Sequence, residues 1–198
     1  MVVVVLIVLT ATASSGEHVT GNRVLVIGDS LLEFSQPSVQ ASLDADGWQA
    51  VVIGHRGYSI EAWQQLIGPL AAFVRPNVAV VELGTNDCNL TCPDLGPVID
   101  ATMRTLVANG VGAVLWLNVQ ERPDYPVHAT YVNLAIAQAS IRWPQMEVVE
   151  LRRFADPHPE WHNPDGLHFN SVGQEALGAL IRVALHRWTP AGKSAPSP

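Results

Sequence analysis

The sequence predicts an α/β domain, a parallel β-sheet covered by helices on both faces. Three observations carry that expectation. Five short runs rich in Val, Ile or Leu recur, at Val24–Gly28, Gln49–Gly54, Val78–Leu83, Ala113–Asn118 and Glu147–Leu151. Compact apolar runs of this kind are typical of strands buried on both faces. The segments between them are long enough for helices, and strand–helix alternation implies crossover connections and therefore parallel strands. Finally, the 198 residues are 48% apolar and only 15% charged, which supplies one sizeable core and argues against disorder.

Five segments between and after these runs read as helices. Ser38–Asp46 is the first. Ile60–Val74 is the second, with a break expected at Gly68-Pro69. Asp94–Asn109 has a Cys-Pro entry, Asp94 as its cap and Gly110 just past its end. Thr130–Arg142 carries Val132, Ala135, Ile136 and Ala139 at helical spacing. Ser171–Trp188 opens on a capping-box pattern, Ser171 followed by Gln174, and repeats Leu177, Leu180, Ile181 and Leu185 along one face.

The ends of the chain read differently. Val2–Leu9 is an unbroken apolar run, too short for a membrane span of about 20 residues. It has the length of a signal-peptide core, and Ala11-Thr12-Ala13 fits a small-x-small cleavage site. No Lys or Arg precedes the run, and an extra strand or an expression artefact is the other reading. Residues 1–20 are thus expected to be an export leader or N-terminal extension, 21–188 the folded domain, and the Pro/Ser/Ala-rich 189–198 a disordered tail. A secreted or extracytoplasmic location is the expectation if the leader is real, a cytoplasmic one otherwise.

Eleven basic residues against eighteen acidic ones give a net charge of −7 with no basic cluster, so the footprint of a nucleic-acid binder is missing. Cys88 and Cys92 stand four residues apart; they are either a small disulfide ring, which fits an exported protein, or a pair of free thiols. A lone CxxxC is no zinc site, because zinc needs four ligands. Asn89-Leu90-Thr91 matches the short N-glycosylation acceptor pattern.

In open parallel sheets, sites form beyond the C-terminal ends of the strands. The residues just past each apolar run are therefore informative. Gly28-Asp29-Ser30 ends the first run and continues past it, "GHRGYS" comes after the second, "GTNDC" after the third, "NVQERPDYP" after the fourth, and a long polar segment ending in "DGLHFN" after the fifth. Singly, these are ordinary turn residues. Together, "GDS", a glycine after the second strand, "GTND" and "DGLH" resemble the four blocks of the SGNH (GDSL-type) hydrolase superfamily, in order and placement, across residues 23 to about 186. More finely, the stretch from Val114 to Gly173 is similar to the SGNH domains of bacterial cell-wall and polysaccharide O-acyltransferases.

The resemblance implies a three-layer flavodoxin-like fold whose five-stranded parallel sheet has the order 2-1-3-4-5. It also implies Ser30 as nucleophile, Gly57 and Asn86 in the oxyanion hole, and His168 as base with Asp165 behind it. Gly57, rather than Gly54, is assigned because it precedes "YSIEAW", where the family's second-block glycine opens the next helix.

The chemistry is consistent on its own terms. A serine hydroxyl needs a neighbouring base to take its proton, and a neutral imidazole suits that task. The base needs a carboxylate on its other nitrogen to fix tautomer and orientation. Asp165 precedes His168 by three residues, with Gly166 permitting a tight turn. The tetrahedral intermediate needs donors, for which the Ser30 N–H, the Gly57 N–H and the Asn86 amide are the candidates. There is no GxSxG elbow, which disfavours an α/β-hydrolase.

Other residues carry competing readings. His158, Glu160, His162, Asp165 and His168 crowd one segment and invite a metal, but the spacing is not HExxH. Pro157, Pro159 and Pro164 also forbid the continuous helix which that motif needs, so no metal is expected. Arg56 is either a bidentate anion binder or a solvated charge. Tyr58, Trp63 and Trp161 are either pocket-lining or packing residues. The expected function is a serine esterase, cofactor-free, that removes a short acyl group, acetyl above all, from a small-molecule or carbohydrate ester. The alternatives are an O-acyltransferase acting on a cell-wall or polysaccharide hydroxyl, and a catalytically silent carbohydrate-binding domain. The oligomeric state is left open.

Overall fold

The computed structural model describes residues 22–88, 91–124 and 128–188. The expected leader, the tail 189–198, and Asn89 and Leu90 of the glycosylation pattern lie outside the described residues. Five parallel strands, β1 (Arg23–Gly28), β2 (Gln49–Gly54), β3 (Val78–Glu82), β4 (Ala113–Leu117) and β5 (Met146–Val149), form one sheet in the order β2-β1-β3-β4-β5. This is the doubly wound α/β architecture the resemblance implies.

The core divides by strand period. Alternate residues point to opposite faces, so Leu25, Ile27, Ala79, Val81 and Trp116 face one helical layer while Val24, Val26, Val80 and Leu115 face the other. The first layer comprises α2 (Ile60–Val74), α3 (Gly96–Ala108) and α4 (His128–Arg142). The second comprises α1 (Ser30–Ala45), the short α5 (Leu151–Ala155) and α6 (Ser171–Arg187).

Several boundaries differ from those expected, each for a local reason. α1 begins at Ser30, not Ser38, and runs straight through Pro37. An interior proline costs a helix about 3 kcal/mol. Burying Leu31, Leu32, Val39 and Leu43 at 1% exposure or less outweighs that, at roughly 1.5–3 kcal/mol each. The same balance keeps α2 continuous across Gly68-Pro69, where Ile60, Trp63, Ile67 and Ala71 are wholly buried.

The capping box at Ser171 is displaced by one residue. Asn170 is the cap, its side-chain oxygen accepting from the N–H groups of Val172 and Gly173 at 3.0 and 3.2 Å, and Gln174 donates instead to the Phe169 carbonyl. Leu95 rather than Asp94 occupies the cap position of α3, although the Asp94 carboxylate still accepts from the Gly96 N–H at 2.9 Å. β5 stops before Leu151 because that residue opens α5, an element the periodicity does not announce.

Register brings the strand ends into line. Gly28 pairs with Gly54 on one side and Glu82 on the other. The three loops beyond these ends are also tied to one another. The His55 N–H donates to the Gly28 carbonyl at 3.0 Å, and the Asp29 N–H to the Glu82 carbonyl at 3.2 Å. The polar segments singled out in the sequence thus share one edge of the molecule.

Candidate active site

Ser30 is the first residue of α1. Asp29 caps that helix, its Oδ1 accepting from the Leu31 N–H at 3.0 Å. The cap therefore fixes where the Ser30 side chain emerges, and Ser30 is only 6% exposed. As the opening residue of a helix, its N–H belongs to the group with no intrahelical acceptor.

His168 arrives from the far end of the chain, in the loop between a 3₁₀ turn (Pro159–Trp161) and α6. That loop is heavily pinned. The Asn163 N–H donates to the His168 carbonyl at 2.8 Å, the Gly166 N–H to the Asn163 carbonyl at 2.9 Å, and His162 bridges Phe169. Gly166 takes φ +68°, which a side chain would oppose. Asp165 then works with both oxygens. Its Oδ1 accepts the N–H groups of Leu167 and His168, each at 2.9 Å, and its Oδ2 meets His168 Nδ1 at 2.8 Å. His168 Nε2 lies 2.9 Å from Ser30 Oγ.

The partners determine the proton positions. Partial burial raises the Asp165 pKa, but the Leu167 N–H and the His168 contacts outweigh it and hold the carboxyl below its ordinary value. An ionised carboxylate only accepts. Nδ1 must therefore donate to Asp165, leaving Nε2 of the neutral ring to accept from the Ser30 hydroxyl. An arrangement of this kind can draw a proton from a hydroxyl as that oxygen attacks a carbonyl carbon.

The second and third loops meet beside it. Gly57 sits at φ +76° in a turn closed by the Tyr58 N–H on the His55 carbonyl, with open space where a Cβ would stand. The Asn86 amide donates to the Tyr58 carbonyl at 3.2 Å, which brings the "GTND" loop against this turn. Asp87 reinforces the contact by accepting the Ile60 N–H with both oxygens, at 3.0 and 3.1 Å. Burial raises the Asp87 carboxyl to about 6. A cleft of about 470 Å³ opens on this flank, lined among others by Ser59, Asn86, Asp94 and Leu95.

Four loops thus carry the four sequence blocks to one edge, and the sequence profile of the GDSL-like Lipase/Acylhydrolase family matches residues 26–176. The chain belongs to the GDSL-like lipase/acylhydrolase family. Among curated proteins, this GDSL-family chain is 26% identical over 167 residues to the Putative peptidoglycan O-acetyltransferase YrhL of Bacillus subtilis (strain 168). The match covers 84% of the chain but only 24% of that protein, so the chain spans about a quarter of its relative's length. Among solved structures, the psychrotrophic esterase EstA from Pseudoalteromonas sp. superposes with a TM-score of 0.71 at 18% identity, covering 84% of this chain and 98% of that one. A carbohydrate esterase family 3 protein from Talaromyces cellulolyticus gives 0.69 at 18% identity, covering 83% and 96%. These likenesses show the shared fold.

The remaining candidates of the GDSL-family chain are held by identifiable partners. Arg56 is engaged with its own surroundings. Its guanidinium pairs with Glu33 at 2.9 Å and lies 4.6 Å over the Phe34 ring, while its N–H donates to the other Glu33 oxygen. Phe34 in turn stands edge-on to the His168 ring at 5.3 Å. Tyr58 is on the rim, its ring 4.8 Å from His55. Trp63 belongs to the core, fully buried with its Nε1 donating to the Gly28 carbonyl at 3.1 Å. Trp161 stacks on His158 at 3.8 Å and packs against the α1/α6 core. The histidines and acids that suggested a metal have separate partners: His158 meets Glu160, and His162 meets Gln120, each at 2.8 Å. Cys88 is paired with Cys92, their Cα atoms 4.5 Å apart. Among the described residues, no helix is long and apolar enough to cross a membrane.

Sequence reasoning missed Phe34, Arg122 and Glu82. Arg122 donates to the Thr85 carbonyl at 3.2 Å and so braces the loop that carries Asn86. Glu82, 1% exposed at the end of β3, has a visible mark: it is an acid inside an otherwise apolar run.

Proposed function

We propose that the protein is a serine esterase that removes a short acyl group, acetyl above all, from a carbohydrate or small-molecule ester. The observation that carries this reading is the unbroken series Ser30 Oγ–His168 Nε2 at 2.9 Å and His168 Nδ1–Asp165 Oδ2 at 2.8 Å. In the proposed reaction Ser30 Oγ attacks the ester carbonyl carbon while its proton passes to His168 Nε2. The resulting oxyanion is met by the Ser30 N–H, the Gly57 N–H and the Asn86 amide. The carbon–oxygen bond to the alcohol then breaks, and the leaving oxygen takes the proton from His168. Water repeats the sequence on the acyl-enzyme, giving up its proton to His168, and releases the carboxylic acid. No step calls for a metal or an organic cofactor.

Acetyl is favoured by the similarity to a protein described as a peptidoglycan O-acetyltransferase. That similarity also supports the second reading, in which a sugar hydroxyl instead of water intercepts the acyl-enzyme. Hydrolysis and transfer share every step up to that choice of acceptor.

The test is an ester panel graded by acyl length and alcohol, run with the wild type and Ser30→Ala, with and without an oligosaccharide acceptor. Turnover of acetyl esters by the wild type alone supports the esterase. Acylated oligosaccharide as the main product moves the assignment to transfer. Wild-type and Ser30→Ala proteins that are equally inert, with no fluorophosphonate labelling, return it to the silent binding domain.

A further inference from the structure

The mechanism leaves two buried carboxyls unused, directly behind Ser30. Asp29 and Glu82 are 0% and 1% exposed. They come from adjacent strand ends, and the Asp29 N–H reaches both the Glu82 carbonyl at 3.2 Å and Glu82 Oε2 at 3.3 Å. The contact is close enough to dictate sequence: a Cβ on Gly28 would stand 2.8 Å from Glu82 Oε2. On the other side, Asp29 Oδ2 and Thr85 Oγ1 are both buried and have no hydrogen-bond partner within normal reach among the described residues. Thr85 is the residue before Asn86.

Two ionised carboxylates cannot share such a volume. Removing even one unpaired charge from water is costly, and the two would repel in a medium of low dielectric. The arrangement holds together when one proton is kept between them. Burial, and after it the Asp29 charge, pushes Glu82 well above its ordinary value. Burial also raises Asp29, to about 7, although the Leu31 N–H pulls the other way. The buried pair therefore keeps a proton, with Glu82 Oε2 set against the Asp29 N–H.

We propose that Glu82 is a positioning residue: its buried carboxyl locks the loop bearing Ser30 to the loop bearing Asn86. The lock runs from β3 through Glu82 to the Asp29 backbone, and Asp29 sets the first turn of α1. Because β3 continues into Thr85 and Asn86, a single buried group fixes both the attacking oxygen and a donor to the oxyanion. The proposal rests on the reading of Ser30 as nucleophile. Its physical consequence is large, since a misplacement of about 1 Å can cost on the order of 10²-fold in rate.

The experiment compares wild type, Glu82→Gln and Glu82→Leu, each checked for a cooperative melt. A glutamine amide oxygen accepts from the Asp29 N–H and the amide carries no charge, so it mimics the protonated acid. Leucine offers no acceptor. Glu82→Gln is expected to keep kcat on p-nitrophenyl acetate within about threefold, whereas Glu82→Leu loses roughly 10–10²-fold in kcat with KM little changed. Infrared spectroscopy at neutral pH is expected to show a protonated-carboxyl band in wild type that Glu82→Gln lacks. A folded Glu82→Leu with wild-type kcat overturns the positioning role, as does Glu82→Gln falling as far as Glu82→Leu. Absence of the infrared band overturns the shared proton. If Glu82→Leu does not fold, Glu82→Gln and the band decide. A wild type no more active than Ser30→Ala removes the esterase reading itself and is recognised by that control.

Discussion

Ser30 Oγ and His168 Nε2 stand 2.9 Å apart although 138 residues separate them in the chain. No local preference holds them there. Ser30 is placed by the cap of α1, and His168 by a loop closed on itself through Asn163 and Asp165. The two meet because α1 and α6 pack together on one face of the sheet. Removing the hydroxyl should leave that packing intact. Ser30→Ala is therefore expected to melt like wild type and to lose at least about 10⁴-fold in kcat on p-nitrophenyl acetate. Measured turnover within tenfold of wild type would show that another group attacks.

Asp165 does two jobs that substitution can separate. One oxygen holds the backbone of its own loop and the other orients the imidazole. Asp165→Asn keeps an acceptor for the backbone N–H groups but offers the ring a neutral amide. The expected result is a folded protein with kcat lower by about 10²–10⁴-fold. The lower end is favoured because the Asp165 side chain is 50% exposed and water can partly replace it. Steady-state kinetics together with a melt separate loss of orientation from loss of the loop.

Asn86 reaches the Gly57–Tyr58 turn through the Tyr58 carbonyl. As a donor to the developing oxyanion it would act in the transition state more than in the bound ester. Asn86→Ala is expected to lower kcat by roughly 10²–10³-fold with little change in KM. A change confined to KM would instead make Asn86 a binding residue.

Much of the fold and of the candidate site is legible in the sequence, and the limits have physical causes. Strands buried on both faces leave a plain apolar signature, so all five appear within a few residues of their bounds. Ser30, Gly57, Asn86, Asp165 and His168 stand out because each comes after a strand or precedes the last helix, where a parallel sheet collects its loops. Proline misleads in α1 and α2, since the burial of Leu31 or Trp63 depends on partners distant in the chain. Phe34 is hidden for the same reason: its contact with the His168 ring exists only once α1 starts at Ser30. Glu82 reads as one letter of an apolar strand, because whether a buried acid is tolerated depends on a neighbour 53 residues away.

Arg56 offers a test of pocket chemistry. Its guanidinium is committed to Glu33 and Phe34 yet remains 64% exposed. Exposed pairs of this kind contribute about 0–1 kcal/mol. Arg56→Ala is expected to change kcat/KM for p-nitrophenyl acetate by less than about fivefold. A much larger loss confined to esters carrying a carboxylate would reveal an anion-binding role in parallel kinetics on neutral and anionic substrates.

The buried acids set how stability responds to pH. Asp29 is raised to about 7 and Asp87 to about 6, both chiefly by burial, and burial also raises Glu82 well above its ordinary value. Each holds a proton in the folded state at a pH where the unfolded chain has released it. The stability that Asp29 and Asp87 contribute is full below about pH 4 and is lost as pH rises through about 6 to 7, and Glu82 acts in the same sense. Asp165 and Asp100 work in the opposite sense: their lowered values give stability that is lost only in strong acid. His128, lowered mainly by burial, also opposes acidification, but it is one group against three. The thermal midpoint is therefore expected to be higher at pH 5.5 than at pH 8, and Glu82→Gln, which cannot ionise, should reduce that difference. Calorimetric melts across this range would contradict the assignment if the midpoint rose steadily from pH 5.5 to pH 8, because raised carboxyls cannot produce that slope.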